Sequence, residues 1–181
     1  MTEAALFSEL DLDPRIERAV TEMGFSEATA IQANAIPLIR TGVDVIARSQ
    51  TGTGKTVAFS IPALEAIDTK EERPTVQVLI LCPTRELAQQ AGDEIHKLAR
   101  FLPGIRPVEV YGGVDMRRQF IKLRQANIVI GTPGRVIDHM GRGTLKLGDL
   151  KMLVLDEADE MLKMGFKDNC QSADSHCDSP A

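Results

Sequence analysis

The chain has 181 residues, of which 43% are hydrophobic and 26% are charged, and its net charge is −5. This composition is typical of one soluble globular domain and excludes a disordered or collagen-like chain. The longest apolar runs, such as residues 78–82, are too short to span a membrane, and no secretion signal begins the chain. Three scattered cysteines cannot form a disulfide framework, so we expect a reducing compartment, the cytoplasm.

The charge is unevenly distributed along the chain. From Lys97 to Lys151 there are eleven Lys or Arg residues against four Asp or Glu residues, a local net charge of +7. A polyanion could bind a basic face formed by this segment. Solvated helices that carry a surplus of Lys and Arg would give the same count, so charge alone leaves both interpretations open.

Apolar stretches of strand length alternate with segments of helical periodicity between residues 43 and 166, a pattern typical of βαβ units. Nearly continuous apolar runs indicate strands covered on both faces, so we predict an α/β fold with a mostly parallel sheet and helices on both faces. The predicted strands are 43–47, 76–82, 107–111, 127–131 and 151–155. The predicted helices are 13–23, 28–40, 55–67, 84–100, 115–125 and 133–140.

Three features are expected to interrupt these elements. Pro37 and Pro62 fall inside two predicted helices and should bend them or end them early. The polar stretch 68–74 predicts a surface loop. Residues 167–181 contain no Leu, Ile, Val, Met or aromatic residue, so we expect a disordered tail.

A glycine-rich loop, SQTGTGKT at residues 49–56, follows the first predicted strand and precedes a helix. Glycines allow backbone N–H groups to turn around an anion, and the helix start adds partial positive charge. In such a loop Lys55 reaches the terminal phosphates and the Thr56 hydroxyl can ligate Mg²⁺. Ser49 replaces the first glycine of the usual pattern, but the flanking strand and helix favour a phosphate site over a chance Gly-Lys-Thr.

The last predicted strand ends in Asp156, Glu157, Ala158 and Asp159. Open α/β sheets bind their ligands at this carboxyl edge. There Asp156 can hold Mg²⁺ through its waters, and Glu157 can orient or deprotonate an attacking water. Acidic residues also favour helix starts, so the motif alone would indicate only a helix N-terminus. Together with the phosphate loop it indicates phosphoryl transfer.

With both motifs present, the sequence resembles the DEAD-box ATP-dependent RNA helicases, whose core is built from RecA-like domains. Residues 156–159 match the motif that names the family. Five further matches follow in the family's order: Gly24-Phe25 with Thr29, Ile31 and Gln32; the phosphate loop; PTRELA at 83–88; Gly112-Gly113; and TPGR at 132–135. The resemblance covers residues 7 to about 168 and implies a RecA-like P-loop domain.

The resemblance implies ATP as the nucleotide and Mg²⁺ as its ion. Gln32 is expected to recognise the adenine edge through its amide, and Phe7 to stack on the base. Phe25 is expected to pack the same segment, unless both rings are simply core residues. The implied nucleotide-binding residues are Phe7, Phe25, Thr29, Gln32, Gln50, Thr51, Gly52, Thr53, Gly54, Lys55 and Thr56. The implied catalytic residues are Lys55, Asp156 and Glu157, and the implied Mg²⁺ ligands are Thr56 and Asp156.

The resemblance also implies RNA as a partner, bound through its backbone without recognition of the bases. The implied contacts are Pro83, Thr84, Arg85, Gly112, Gly113, Thr132, Pro133, Gly134 and Arg135. Thr84 and Thr132 can also cap the helices that follow them, which would leave Arg135 free to meet phosphates. The cationic residues of the 115–125 helix either extend this footprint or form a solvated face; these are Arg117, Arg118, Lys122 and Arg124.

In the family, a strand bearing Ser-Ala-Thr follows, and a second RecA-like domain supplies an arginine finger. We find neither after residue 167, so we expect an interrupted product whose sheet lacks the strand between 43–47 and 151–155. We divide the chain into an adenine-recognition segment (1–40), a partial ATP-binding domain (41–166) and a tail (167–181). The expected function is a helicase domain that cannot unwind RNA alone. The alternatives are a non-catalytic nucleotide- or RNA-binding fragment and an unrelated P-loop kinase or GTPase.

Overall fold

The structure is a computed structural model that describes residues 6–48, 52–70 and 74–164. After a 3-10 turn at Phe7–Glu9, the helices are α1 (Pro14–Glu22), α2 (Ala30–Arg40), α3 (Lys55–Glu65), α4 (Arg85–Leu98), α5 (Met116–Leu123), α6 (Pro133–Gly141) and α7 (Ala158–Lys163). The strands are β1 (Val78–Leu81), β2 (Pro107–Val110), β3 (Ile128–Gly131) and β4 (Met152–Leu155). The chain divides into two compact units, Met1–Ala66 with Asp93–Gly104, and Ile67–Gly92 with Ile105–Ala181.

In the first unit, helix α2 packs against helix α3. Helix α1 begins at Pro14 because the Asp13 side chain accepts a hydrogen bond from the Arg15 N–H at 2.9 Å, and proline is compatible with the first helical position. The buried apolar side chains of this unit include Ile16, Val20, Ile36, Val57, Ile61 and Leu64.

Arg40, at the end of α2, holds the N-terminal segment to this unit. Its Nε and Nη2 atoms each donate to a carboxylate oxygen of Glu65 at 2.7 Å. Nη1 donates to the Leu10 carbonyl at 2.6 Å, and Nη2 also donates to the Asp11 carbonyl at 3.2 Å. A bidentate guanidinium–carboxylate pair fixes both side chains, so the segment after the 3-10 turn is attached to both helices.

The second unit contains a four-stranded parallel sheet in the order β2-β3-β1-β4. The central strands β1 and β3 are buried along their whole length, as predicted for strands covered on both faces. The core of this unit comprises Val76, Leu79, Leu81, Val108, Val110, Leu123, Ala126, Val129, Val136, Leu145 and Met161.

Strand β4 lies at one edge of this sheet, and among the described residues no strand pairs with its outer side. The prediction of a strand at 43–47 is wrong, since residues 43–48 form no regular structure. There Val43 is 55% exposed and Ile46 is 91% exposed. A strand needs a neighbour for its backbone hydrogen bonds, and these residues have none in the described part of the chain, so their apolar sequence alone does not make a strand.

The other predicted helices and strands are confirmed, with slightly shorter bounds in most cases. Pro37 and Pro62 do not end their helices, because α2 continues to Arg40 and α3 to Glu65, while the other expectation, a bend at each proline, stays a prediction. Packing between these two helices outweighs the local cost of each proline. Residues 68–70 are exposed, as predicted for the loop, whereas 71–73 and the predicted tail 167–181 lie outside the described residues. Within the described ranges, no helix has both the length and the apolar character needed to traverse a bilayer.

Candidate functional site

The glycine-rich loop ends in two residues with left-handed backbone conformations. Gly52 has φ of 78° and Gly54 has φ of 85°, values that favour glycine strongly. Gly54 is the N-cap of α3, and Lys55 and Thr56, both partly buried, form the start of that helix. The helix start therefore presents backbone N–H groups beside a lysine, an arrangement that suits an anion. Residues 49–51, including the predicted Gln50 and Thr51, lie outside the described part of the chain.

Gln32 connects this loop to helix α2. Its side chain is buried, with Oε1 accepting from the Thr29 N–H at 2.8 Å and Nε2 donating to the Gly54 carbonyl at 3.2 Å. The Thr29 side chain completes a capping box at the start of α2. A Cβ atom on Gly54 would overlap with the Gln32 amide, so the close approach requires glycine. The sequence predicted both residues but not the bond between them.

The two phenylalanines near Gln32 differ in exposure. Phe7 is 3% exposed, and its N–H donates to the Ser26 carbonyl at 3.2 Å. Phe25 is 42% exposed. The alternative in which both rings are core residues is therefore wrong for Phe25, whereas its packing within the same segment stays a prediction.

In the second unit the predicted residues follow the carboxyl ends of parallel strands. Pro83 and Thr84 come after β1, the Gly112-Gly113 pair after β2, residues 132–135 after β3, and Asp156 directly after β4. Because the strands are parallel, these segments leave the sheet at the same edge.

Tyr111, which the sequence analysis missed, brings two of these segments together. The Arg85 guanidinium lies 4.9 Å from the centroid of the Tyr111 ring, and Gln89 Nε2 donates to the Tyr111 hydroxyl at 3.0 Å. Gly113 has φ of 80°, and a Cβ atom there would lie 3.2 Å from Arg85 Nη1. The only sequence signal for Tyr111 is its place directly before the glycine pair.

The two predicted threonine caps behave differently. The Thr84 Oγ1 atom accepts from the Leu87 N–H at 3.3 Å, so this cap is confirmed. Thr132 occupies the N-cap position of α6, where its backbone carbonyl accepts from Val136 at 3.1 Å. Its side chain makes no capping bond, so the side-chain cap predicted there is wrong.

Arg135 is bonded within the protein through Nη1, and the expectation that it meets phosphates stays a prediction. Its Nη1 atom donates to the Val114 carbonyl at 2.9 Å and to Gln119 Oε1 at 3.0 Å. These bonds tie the helix after β3 to the loop after β2 and to helix α5. No sequence signal pointed to Gln119, because it is one polar residue in a helix rich in polar residues.

Glu157 has φ of 50° and ψ of 45°, a left-handed conformation that is strained for a non-glycine residue. Such strain is characteristic of functional positions. The preceding Asp156 extends the strand ladder, since its N–H donates to the Leu81 carbonyl at 2.9 Å. Its Oδ1 atom accepts from the Glu157 N–H at 3.1 Å, which fixes the orientation of the carboxylate.

Cys82, directly after β1, is a buried free thiol. Burial, assisted by the negative charge of Asp156, raises the pKa of Cys82 to about 12. The thiol therefore stays protonated near neutral pH, and we assign it no role as a nucleophile.

Across residues 6–48, 52–70 and 74–164, no three His, Cys, Asp or Glu side chains are arranged to hold a metal ion. The predicted ligands, the Thr56 hydroxyl and the Asp156 carboxylate, are hard oxygen donors of the kind that Mg²⁺ prefers. An ion held mainly by nucleotide phosphates and waters needs only one or two such protein oxygens. The donor chemistry of these two residues fits Mg²⁺.

The parallel sheet, the phosphate-type loop and the acidic strand end define a RecA-like P-loop domain. The family model for DEAD/DEAH box helicases matches residues 29–180, and the chain belongs to this family. It is 51% identical over 167 residues to the ATP-dependent RNA helicase CshA of Listeria monocytogenes, covering 92% of the chain and 32% of that protein. It is 46% identical over 171 residues to the DEAD-box ATP-dependent RNA helicase CshA of Geobacillus kaustophilus, covering 94% of the chain and 36% of that protein.

Two solved structures are also similar to the chain. A DEAD box protein from Methanococcus jannaschii has a TM-score of 0.89 and 41% identity, covering 96% of this chain and 47% of that one. A hypothetical ATP-dependent RNA helicase from Sulfolobus tokodaii has a TM-score of 0.83 and 36% identity, covering 91% of this chain and 47% of that one. The chain thus spans about a third of the length of these two curated relatives, 32% and 36%, and just under half of each solved structure, 47%.

Proposed function

We propose that this chain is the ATP- and RNA-binding domain of a DEAD-box RNA helicase, and that the intact helicase couples ATP hydrolysis to RNA strand separation. The observation that carries the proposal is the gathering of three residues at one edge of the sheet: Arg85 at the start of α4, Gly113 in the loop after β2, and Arg135 in the first turn of α6. Guanidinium groups and glycine N–H groups suit phosphates, so the proposed contact is with the RNA backbone. The remaining RNA contacts proposed from the sequence follow the same strands.

The nucleotide site is proposed in the first unit. Lys55 and the N–H groups at the start of α3 suit the phosphates, and the Gln32 amide suits the adenine edge. Phe25 is the better candidate for stacking on the base, since it is 42% exposed whereas Phe7 is 3% exposed. We keep the other nucleotide contacts that the sequence implied as proposals. We also keep the proposed division of the chain after residues 40 and 166.

Mg²⁺, when bound, neutralises charge on the phosphates, and we propose that Thr56 and Asp156 hold it. The bond from the Glu157 N–H, which orients the Asp156 carboxylate at the end of β4, supports this proposal. Glu157 is proposed to orient or deprotonate the attacking water. The chain alone is expected to bind ATP without unwinding RNA, because an arginine finger is worth about 10³- to 10⁵-fold in rate and the resemblance assigns it to a second domain.

The test is the binding of fluorescent ATP to the purified chain with Mg²⁺, together with phosphate release in the presence and absence of RNA. Lys55→Ala and Gln32→Ala should abolish or weaken binding, whereas the loop variant Lys70→Ala is the matched control and should bind normally. Loss of ATP binding in Lys55→Ala, together with no RNA-stimulated phosphate release by the unaltered chain, would support the proposal. RNA-stimulated turnover by the chain alone would contradict the expected dependence on a second domain, and a folded chain that binds no ATP would overturn the proposed function.

GTP competition separates this proposal from a P-loop kinase or GTPase. We expect ATP to displace the fluorescent nucleotide more strongly than GTP, because Gln32 offers one donor and one acceptor in a fixed order. Equal competition would favour the alternative class. An RNA substrate also supports our proposal of a cytoplasmic location, where such substrates are found.

A further inference from the structure

Gln119 lies at the centre of a buried hydrogen-bond network in the second unit. It is 3% exposed, and its Nε2 atom donates to the Tyr111 carbonyl at 2.9 Å. Its Oε1 atom accepts from Arg135 Nη1 at 3.0 Å and lies 3.1 Å from His139 Nε2. One side chain of α5 therefore contacts the loop after β2 and two residues of α6.

The chemistry of these partners fixes the orientation of the Gln119 amide. The Tyr111 carbonyl can only accept and the Arg135 guanidinium can only donate, so the amide nitrogen must face the first and the amide oxygen the second. An oxygen facing His139 Nε2 requires that this ring nitrogen carry the proton. The network therefore also determines the tautomer of His139.

His139 is fully buried, and both of its ring nitrogens have partners. Nδ1 lies 2.8 Å from the Thr144 hydroxyl, which can donate to that nitrogen or to the His139 carbonyl at 2.9 Å. Burial, together with the positive charge of Arg135, lowers the pKa of His139. A neutral ring with its proton on Nε2 donates to Gln119 Oε1 and leaves Nδ1 to accept from the Thr144 hydroxyl.

The same bonds restrict Arg135. Its Nη1 atom carries two N–H groups, and the Val114 carbonyl and Gln119 Oε1 accept from this nitrogen. Two acceptors on one nitrogen define the plane of the guanidinium group. An arginine held in this way loses less side-chain entropy on binding a phosphate than one that is mobile in solvent.

We propose that Gln119 and His139 are positioning residues that hold Arg135 in the orientation in which it binds the RNA backbone. Gln119 acts directly, and His139 acts by fixing the Gln119 oxygen toward Arg135. This inference rests on the proposed function, since only there is Arg135 an RNA contact. It adds two residues that do not themselves touch the RNA.

The test measures the affinity of the full chain for a fluorescein-labelled single-stranded oligo(U) RNA by fluorescence anisotropy. Gln119→Ala, Arg135→Ala and the double variant form a thermodynamic cycle, with the exposed Gln125→Ala as the matched control. We expect about a 10-fold loss for Arg135→Ala, about a 3- to 10-fold loss for Gln119→Ala, and no further loss when Gln119→Ala is added to Arg135→Ala. His139→Leu should weaken binding in the same way, and His139→Gln, which keeps a donor, should restore part of it.

Salt dependence distinguishes positioning from general support of the fold. Loss of one phosphate contact should reduce the slope of log affinity against log salt by about 1, both in Arg135→Ala and in Gln119→Ala. A role that only stabilises the fold would leave this slope unchanged and would lower fluorescent ATP binding as well. Should Gln119→Ala fail to fold, Gln119→Leu, which fills similar space but offers Arg135 no oxygen, should show the same reduction of the slope, and a wild-type slope in that folded variant would overturn the proposal.

The outcomes separate this inference from the function on which it rests. If Arg135→Ala binds RNA as tightly as the unaltered chain, the proposed RNA contact of Arg135 is wrong. If Arg135→Ala weakens binding but the losses of Gln119→Ala and Arg135→Ala add, the positioning role of Gln119 is overturned. If His139→Leu binds normally, the role of His139 is overturned.

Discussion

Strands β3 and β4 both pair in parallel with β1, but they have different environments. Their sequences, IVIG and MLVL, are similarly apolar. Every residue of β3 is buried, whereas Leu153 is 42% exposed and Leu155 is 43% exposed in β4. Strand β3 has strand neighbours on both sides and β4 has one within the described residues. An apolar sequence thus predicts a strand, while the position in the sheet decides how much of it is buried.

The largest effect on the free energy of unfolding is expected when one side chain in each strand is truncated. Ile130→Ala removes a fully buried side chain and should lower the free energy of unfolding by about 2–5 kcal/mol. Leu155→Ala removes a side chain that remains 43% exposed and should cost about 1 kcal/mol. Urea unfolding at pH 7.5 measures both, and equal losses would show that β4 is as well packed as β3.

The end of β3 is also more crowded than a surface loop. A Cβ atom on Gly131 would overlap the Val110 carbonyl and lie 2.9 Å from Val136 Cγ2. Gly131→Ala should therefore lower the free energy of unfolding by about 1–3 kcal/mol through overpacking. Gly148→Ala, where a Cβ atom would meet nothing within 4 Å, is the control and should be near neutral or slightly stabilising in the same urea titration.

A smaller effect is expected in the segments that follow the two strands. After β3, Thr132 is extended with φ of −87°, whereas Glu157, two residues after the end of β4, is left-handed with φ of 50°. Glu157→Gly should raise the free energy of unfolding by about 1 kcal/mol by relieving this strain, although it removes the proposed base. Glu160→Gly, inside α7, should instead destabilise by about 1 kcal/mol. A melting temperature that falls in Glu157→Gly would show that the side chain stabilises its own conformation.

The smallest effect concerns pH and the helix after β3. The pKa of His139 is lowered from its ordinary value of 6.5 by burial, with Arg135 and Arg142 contributing and Asp138 opposing. The unfolded chain therefore binds the proton more readily, and stability should fall as the pH drops below about 6.5 toward the folded pKa. His139→Gln should flatten this part of the profile in urea titrations between pH 7.5 and 5.5. Gln125→Ala, at an exposed position after α5, removes no titratable group and is the control for the substitution itself.

Much of the fold followed from the sequence because it depends on local patterns. Buried strands such as Val78–Leu81 show in the periodicity, and the phosphate-type loop shows in its glycines and lysine. The strand predicted at 43–47 did not form, because strand formation also depends on a neighbour that no local pattern reveals.

Less of the candidate site followed, for a different physical reason. The family resemblance placed Arg85 and Arg135 among the candidates, but the partners that orient them were missed. Gln119 and His139 lie 16 residues or fewer from Arg135 in sequence, and their bonds depend on how α5 and α6 pack. The exposure of Phe25 was missed similarly, because a residue type does not determine which of two nearby rings is buried.

The bonds of the Gln32 side chain bear on the base recognition that we propose for it. Its amide nitrogen carries two N–H groups and its oxygen two lone pairs, and the structure uses one of each, on the Gly54 carbonyl and the Thr29 N–H. These two bonds fix which way the amide faces, so the remaining donor and acceptor are presented in one order only. Under the proposed role of Gln32, a base whose edge matches this order gains two hydrogen bonds, whereas a base with the opposite order faces donor with donor and acceptor with acceptor.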